Sequence, residues 1–168
     1  KLMSQLGLVI DSLEYARCRG SLSGRLQLGT LPRLSEALID TSGSIGYEVT
    51  GETEGERAFL ELKLEGVLPL ICQRCLAELD FPLSEHRRMM LIEPGSSWPE
   101  DSQAGGLEDE ACEAIEASRE MDLASLMEDE ILLALPIAPR HECCKRPAEA
   151  ADTSEPTPFA QLARLKHK

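Results

Sequence analysis

The chain has 168 residues, 42% of them hydrophobic and 4% aromatic, with a net charge of −13. That length supports one domain, 1–168, whose core must rest on Leu, Ile, Val and Met, and it leaves little room for a second. Apolar runs such as Ile131–Leu135 are far too short for a membrane span, so no membrane association is expected.

In chain order, Leu6–Ile10 reads as a short opening strand, and Asp11-Ser12 then caps a helical turn through about Arg19. Gly20–Leu28 is expected to be extended, with Leu22, Leu26 and Leu28 on one side. Leu31–Ile39 predicts a short helix, because Pro32 suits a first turn and Leu31, Leu34 and Leu38 fall at helical spacing. Ile45, Tyr47 and Val49 alternate with polar or small residues as in a half-buried strand. Gly51–Glu56 reads as a turn. Two longer alternating runs follow, Leu60, Leu62 and Leu64 on one side of Cys72-Gln73-Arg74-Cys75, and Leu79, Phe81 and Leu83 on the other. The second continues to Ile92. These runs predict an α+β fold with an antiparallel β-sheet, open or barrel-like, carrying a docked amphipathic helix and short accessory helices.

Regular patterning fails over about 93–120, where a flexible acidic insertion is expected, with a frayed helix near Glu108–Arg119. Trp98 inside it is expected to pack back on the body. Asp122–Leu135 is the clearest helix, with Leu123, Met127, Ile131 and Ala134 on one face and Pro136 as its stop. Glu128 and Asp129 point away from that face, whereas Glu130 falls near its middle. A buried carboxylate needs a partner. Either Arg74 or a cluster of backbone amides supplies it, or the helix end rotates and Glu130 reaches water. A Pro-rich tail covers about 136–158, and Phe159, Leu162 and Leu165 predict a last short helix over 159–166.

Charge is spread unevenly. Residues 93–135 carry one Arg against 13 Asp and Glu, and residues 136–168 carry six Lys and Arg against four acids. The acidic stretch repels phosphate and attracts basic protein surfaces. Basic clusters occur at His86-Arg87-Arg88, at Arg140 with Lys145-Arg146, and from Arg164 through Lys166 to Lys168. These are modest for RNA binding, so Arg87, Arg88, Lys145, Arg146, Lys166 and Lys168 are expected to make weak RNA or partner contacts. Ordinary surface charge is the plainer reading of each cluster.

Six cysteines would suit a disulfide framework in a small secreted domain. No secretory signal is visible at Lys1-Leu2-Met3, so free thiols or a metal site in a reducing cytoplasm are expected. Two thiols two residues apart, with a distant Cys/His group, form a pattern that suits zinc or a structural tie. Cys72, Cys75, His141 and one of Cys143 or Cys144 could make up a four-ligand set, since adjacent cysteines fit one ion poorly. The alternative is that these side chains only pack as a small polar cluster.

Taken together, CQRC at 72–75, MDLASLMEDEILLALPIAPRH at 121–141 and PTPFAQLARLKHK at 156–168 resemble the YceD-like large ribosomal RNA subunit accumulation proteins. The resemblance covers essentially the whole chain. It implies a bacterial cytoplasmic protein, with plastid relatives, needed for accumulation or processing of 23S ribosomal RNA. It implies a process without assigning a molecular activity. Some relatives are richer in cysteine after the Leu-Pro-x-x-Pro segment and resemble a zinc knuckle there, whereas this chain has only His141, Cys143 and Cys144.

A non-enzymatic assembly factor is therefore expected, acting on a large-subunit precursor, 23S rRNA or a basic ribosomal protein, with no small-molecule substrate. No cofactor is assigned with certainty by the sequence, and zinc is the one candidate. Two enzymatic alternatives fare worse. A Cys-x-x-Cys oxidoreductase needs a helix after the first thiol, but Leu76–Leu83 alternates as a strand and contains Pro82. A nuclease using Glu128, Asp129 and Glu130 fails because consecutive helical positions cannot converge on one ion.

Overall fold

The computed structural model describes residues 8–98 and 112–144. A five-stranded sheet dominates, in the order β2-β3-β4-β5-β6. Its strands are β2 (Ser21–Gln27), β3 (Ser44–Glu54), β4 (Arg57–Ile71), β5 (Glu78–Ile92) and β6 (Glu113–Glu116). The first three pairings are antiparallel. β6 runs parallel to β5, opposite Met89–Ile92. The sheet is open and does not close into a barrel. A separate two-stranded ribbon joins β1 (Val9–Ile10) to β7 (Met121–Asp122).

The alternation of β4 decides which face is covered. Leu60, Leu62, Leu64, Leu68 and Leu70 are buried, while Lys63, Glu65, Val67 and Ile71 between them are exposed. On the buried face lie α1 (Ser12–Arg17), α2 (Pro32–Ser35) and α3 (Leu123–Ala134), which bring Ala16, Leu34, Leu123, Met127 and Ile131 into the same core. Gly51 permits α1 to approach: a Cβ there would lie 2.6 Å from the Tyr15 carbonyl oxygen. Asp11 caps α1 through the amide of Glu14, and Asp122 caps α3 through Ala124 and Ser125.

Several sequence expectations need correction. The turn expected over Gly51–Glu56 is only Gly55-Glu56, because β3 continues through Glu54; Gly55 takes φ +60°, which a tight hairpin turn requires. The helix expected over Leu31–Ile39 stops at Ser35. A 3-10 turn at Leu28–Thr30 precedes it, and the Ile39 amide then bonds the Pro69 carbonyl at 2.9 Å. The described end of the segment expected as a frayed helix is strand β6. Trp98 is exposed, because a turn closed from the Ser96 amide to the Glu93 carbonyl takes the chain off the sheet before it. The tail and helix expected over 145–168 lie outside the described residues, as does most of the acidic insertion. Among the described residues, no helix is long and apolar enough to cross a membrane.

β3 pairs with β4 only as far as Glu65, and β6 pairs with β5 only from Met89 onward. Between these limits and the Cys-x-x-Cys turn, β4 and β5 continue as a two-stranded arm, Gly66–Ile71 against Glu78–Leu83. Pro82 is tolerated because, among the described residues, no strand pairs with the outer edge of β5 there.

Candidate metal centre

At the arm's tip Cys72 follows the last residue of β4, and the chain reverses through Gln73, Arg74 and Cys75. The Leu76 amide bonds the Cys72 carbonyl, and the Cys72 amide bonds that of Ala77, both at 2.9 Å. Leu76 closes the turn at φ 61°, unusual for a residue other than glycine. Beyond α3, the chain turns at several bends and carries residues 136–144 across the tip. There the Gln73 amide donates to the Pro139 carbonyl at 2.8 Å, and Arg74 Nη1 donates to the Cys144 carbonyl at 3.2 Å.

This crossing brings Cys72, Cys75, His141 and Cys144 together, with one ligand atom from each and all four atoms within 4.8 Å of one another. Cys72 Sγ lies 3.7 Å from Cys144 Sγ, and Cys75 Sγ lies 3.4 Å from His141 Nδ1. His141 Nε2 bonds the Glu78 carbonyl at 2.9 Å, so Nδ1 is the nitrogen turned to the thiols. Cys72 is fully buried and Cys143 is exposed outside the group. Burial opposes the Cys72 thiolate, but backbone donors at Cys75, His141 and Arg74 and the Cys75 thiol outweigh it and lower its pKa to about 5. The Cys144 thiol is raised, first by burial and then by its neighbours Cys72 and Cys75. Three thiols and one imidazole of fixed orientation form a set that could hold a metal ion.

Glu130 is buried, and its partner is Arg87 rather than Arg74. Arg87 Nε stands 3.3 Å from Glu130 Oε2, and its Nη2 is 3.0 Å from Glu85 Oε2. Burial, followed by the nearby Glu113, raises the Glu130 pKa, and Arg87 opposes the rise. Arg74 is unavailable to Glu130 because it faces the Cys144 backbone. Glu128, expected to face water, is only 3% exposed. Its Oε1 accepts from the Arg33 and Leu34 amides at 2.8 and 3.0 Å, and its Oε2 accepts from Arg33 Nε at 2.9 Å. The start of α2 thus takes a carboxylate cap from a helix 95 residues away. The sequence held one clue, a short Pro-initiated helix with no side chain of its own to cap it.

Arg88 points to the opposite face of the sheet, with its guanidinium 4.3 Å from the centre of the Phe59 ring and an ion pair to Glu54. Its side chain is 13% exposed. Arg87 and Arg88 therefore already serve acids of their own chain. Lys145, Arg146, Lys166 and Lys168 lie outside the described residues.

The family described as "Large ribosomal RNA subunit accumulation protein YceD" matches residues 60–166. That span takes in both halves of the Cys/His cluster and all of α3. A protein of that name from Haemophilus influenzae is 29% identical over 185 aligned positions, covering 98% of each chain. No solved structure matches the chain. With the arm, its thiol tip and the docked helix all inside the matched region, the chain belongs to the YceD family of large ribosomal RNA subunit accumulation proteins.

Proposed function

We propose that this chain is a non-enzymatic cytoplasmic factor that supports accumulation of 23S ribosomal RNA during assembly of the large ribosomal subunit. The observation that carries this reading is end-to-end likeness to a relative named for that process. Its partner is a large-subunit precursor, through 23S rRNA or a basic ribosomal protein. Weak RNA contact falls to Lys145, Arg146, Lys166 and Lys168, since Arg87 and Arg88 are already ion-paired. The test is the ratio of 23S to 16S rRNA in cells lacking the chain. A drop restored by the intact gene supports the reading, and an unchanged ratio overturns it.

Zinc held by Cys72, Cys75, His141 and Cys144 joins the arm tip to the segment after α3. Tetrahedral zinc with Zn–S near 2.3 Å and Zn–N near 2.0 Å places two sulfurs about 3.8 Å apart and sulfur and nitrogen about 3.5 Å apart. The 3.7 and 3.4 Å separations lie close to those edges. The Glu78 carbonyl on the far imidazole nitrogen fixes the ring as the second shell of a zinc site does. Metal analysis of the purified protein should find one zinc per chain, lost in Cys75→Ser and retained in Cys143→Ser.

A further inference from the structure

We propose that the outward face of the β4–β5 arm binds a lysine- and arginine-rich protein segment that carries apolar side chains between its charges. The register places Val67 opposite Pro82, Pro69 opposite Asp80 and Ile71 opposite Glu78, all on one face. The other face of the arm carries Leu68, Leu70, Cys72 and Leu83, all buried. Among the described residues the outward face is open, with Val67 53% and Ile71 42% exposed and Pro69 half-buried. Val67, Pro69, Ile71 and Pro82 thus form an apolar stripe where a strand alternating toward water would ordinarily be polar.

Leu76 stands in the tip turn beyond the stripe. It is 70% exposed and holds φ 61°, a conformation that costs a branched side chain free energy and glycine nothing. The turn needs only its backbone, and no core needs its side chain. An apolar side chain kept in a strained position and turned outward is suited to a partner.

The rim identifies the chemistry of that partner. Glu65, Glu78 and Asp80 are exposed beside the stripe, and no Lys or Arg stands on this face between Lys63 and the tip turn. At the turn, Arg74 donates to the Cys144 carbonyl. An apolar centre whose nearest flanking charges are Glu65, Glu78 and Asp80 complements cationic, partly apolar chain and repels phosphate backbones. The inference deepens the assembly reading and rests on it only in assigning such segments to large-subunit proteins. Its test uses purified protein, so its failure is distinct from an unchanged 23S ratio in cells.

The probe is a fluorescent synthetic peptide alternating Lys or Arg with Val or Leu, titrated into the full-length, metal-loaded chain and read by anisotropy. Val67→Ser with Ile71→Ser should weaken binding about tenfold or more, with thermal unfolding unchanged. Leu76→Gly should weaken binding while stability holds or rises, which a purely structural Leu76 would not produce. A peptide with Ser in place of Val and Leu should bind poorly. Equal affinity for the variants, or for the Ser peptide, overturns the proposal. So does a 23S RNA fragment that binds and is lost in the same variants, or a dimer that these variants dissolve without any peptide binding.

Discussion

The two ends of the β4–β5 hairpin are built from the same alternating pattern yet held by different means. At the end nearer Arg57, β4 and β5 lie inside the sheet between β3 and β6, and helices bury Leu60, Leu62 and Met89. At the other end the same strands leave the sheet, one face is open among the described residues, and four Cys and His side chains gather at the tip. Hydrophobic area secures the first end. At the second, one face keeps Leu68, Leu70 and Leu83 buried, and the tip adds four side chains that could hold a metal ion.

The sharpest way to break this contrast is to remove the ligands. Cys72→Ser with Cys75→Ser should lower the melting temperature by about 10 °C or more. It should abolish amide-exchange protection around the tip while sparing Leu60–Leu64. Equal loss at both ends would mean that the tip is no separate unit. Next in size, Leu62→Ala should cost about 2–5 kcal/mol in urea unfolding and act on the whole molecule. Glu128→Ala strands two amides and a guanidinium, and should cost about 1–3 kcal/mol. Glu128→Gln should recover part of that loss.

Glu130 gives a pH-dependent comparison with its neighbour Glu128. The Glu130 pKa is raised above its ordinary 4.5 by burial and by Glu113, against the pull of Arg87. The folded chain therefore holds this proton more tightly than the unfolded chain does. Stability should fall as pH climbs from about 4.5 through the raised value, then level off. Glu130→Gln should lack that slope, so the variant should gain on the parent across the window. A parallel pH course for the two proteins would show that Glu130 titrates normally. Smallest of all, Val67→Ser should shift stability by no more than about 0.5 kcal/mol, as an exposed position requires.

Features written locally were legible in the sequence. The alternation of Leu60, Leu62 and Leu64, the turn signalled by Cys72 and Cys75, and the helix with Leu123, Met127 and Ile131 on one face each follow from spacing alone. The same holds for Glu130 as a core-facing acid. What spacing could not supply was the partner. Arg87 meets Glu130 across 43 positions, and Glu128 caps a helix begun by Arg33 and Leu34. Helical geometry rotated Glu128 away from the apolar arc, but α2 happens to lie there. β6 was hidden for a related reason: Glu113–Glu116 has little strand character of its own and pairs only because β5 offers an edge. Residue types suggested Cys72, Cys75 and His141 as a set, whereas the choice of Cys144 over Cys143 required the fold.

The Leu123 amide, where α3 begins, bonds the Leu8 carbonyl, and Ser12 interlocks with Ser118 across 106 positions. Such closures must wait for late residues, while β3, β4 and β5 can zip as neighbouring hairpins during synthesis. A nascent chain will therefore carry a nearly finished sheet with its leucine row covered only in part, by α1 and α2, until the segment from Ser118 onward emerges. Truncations before residue 123 should therefore aggregate as preformed sheets.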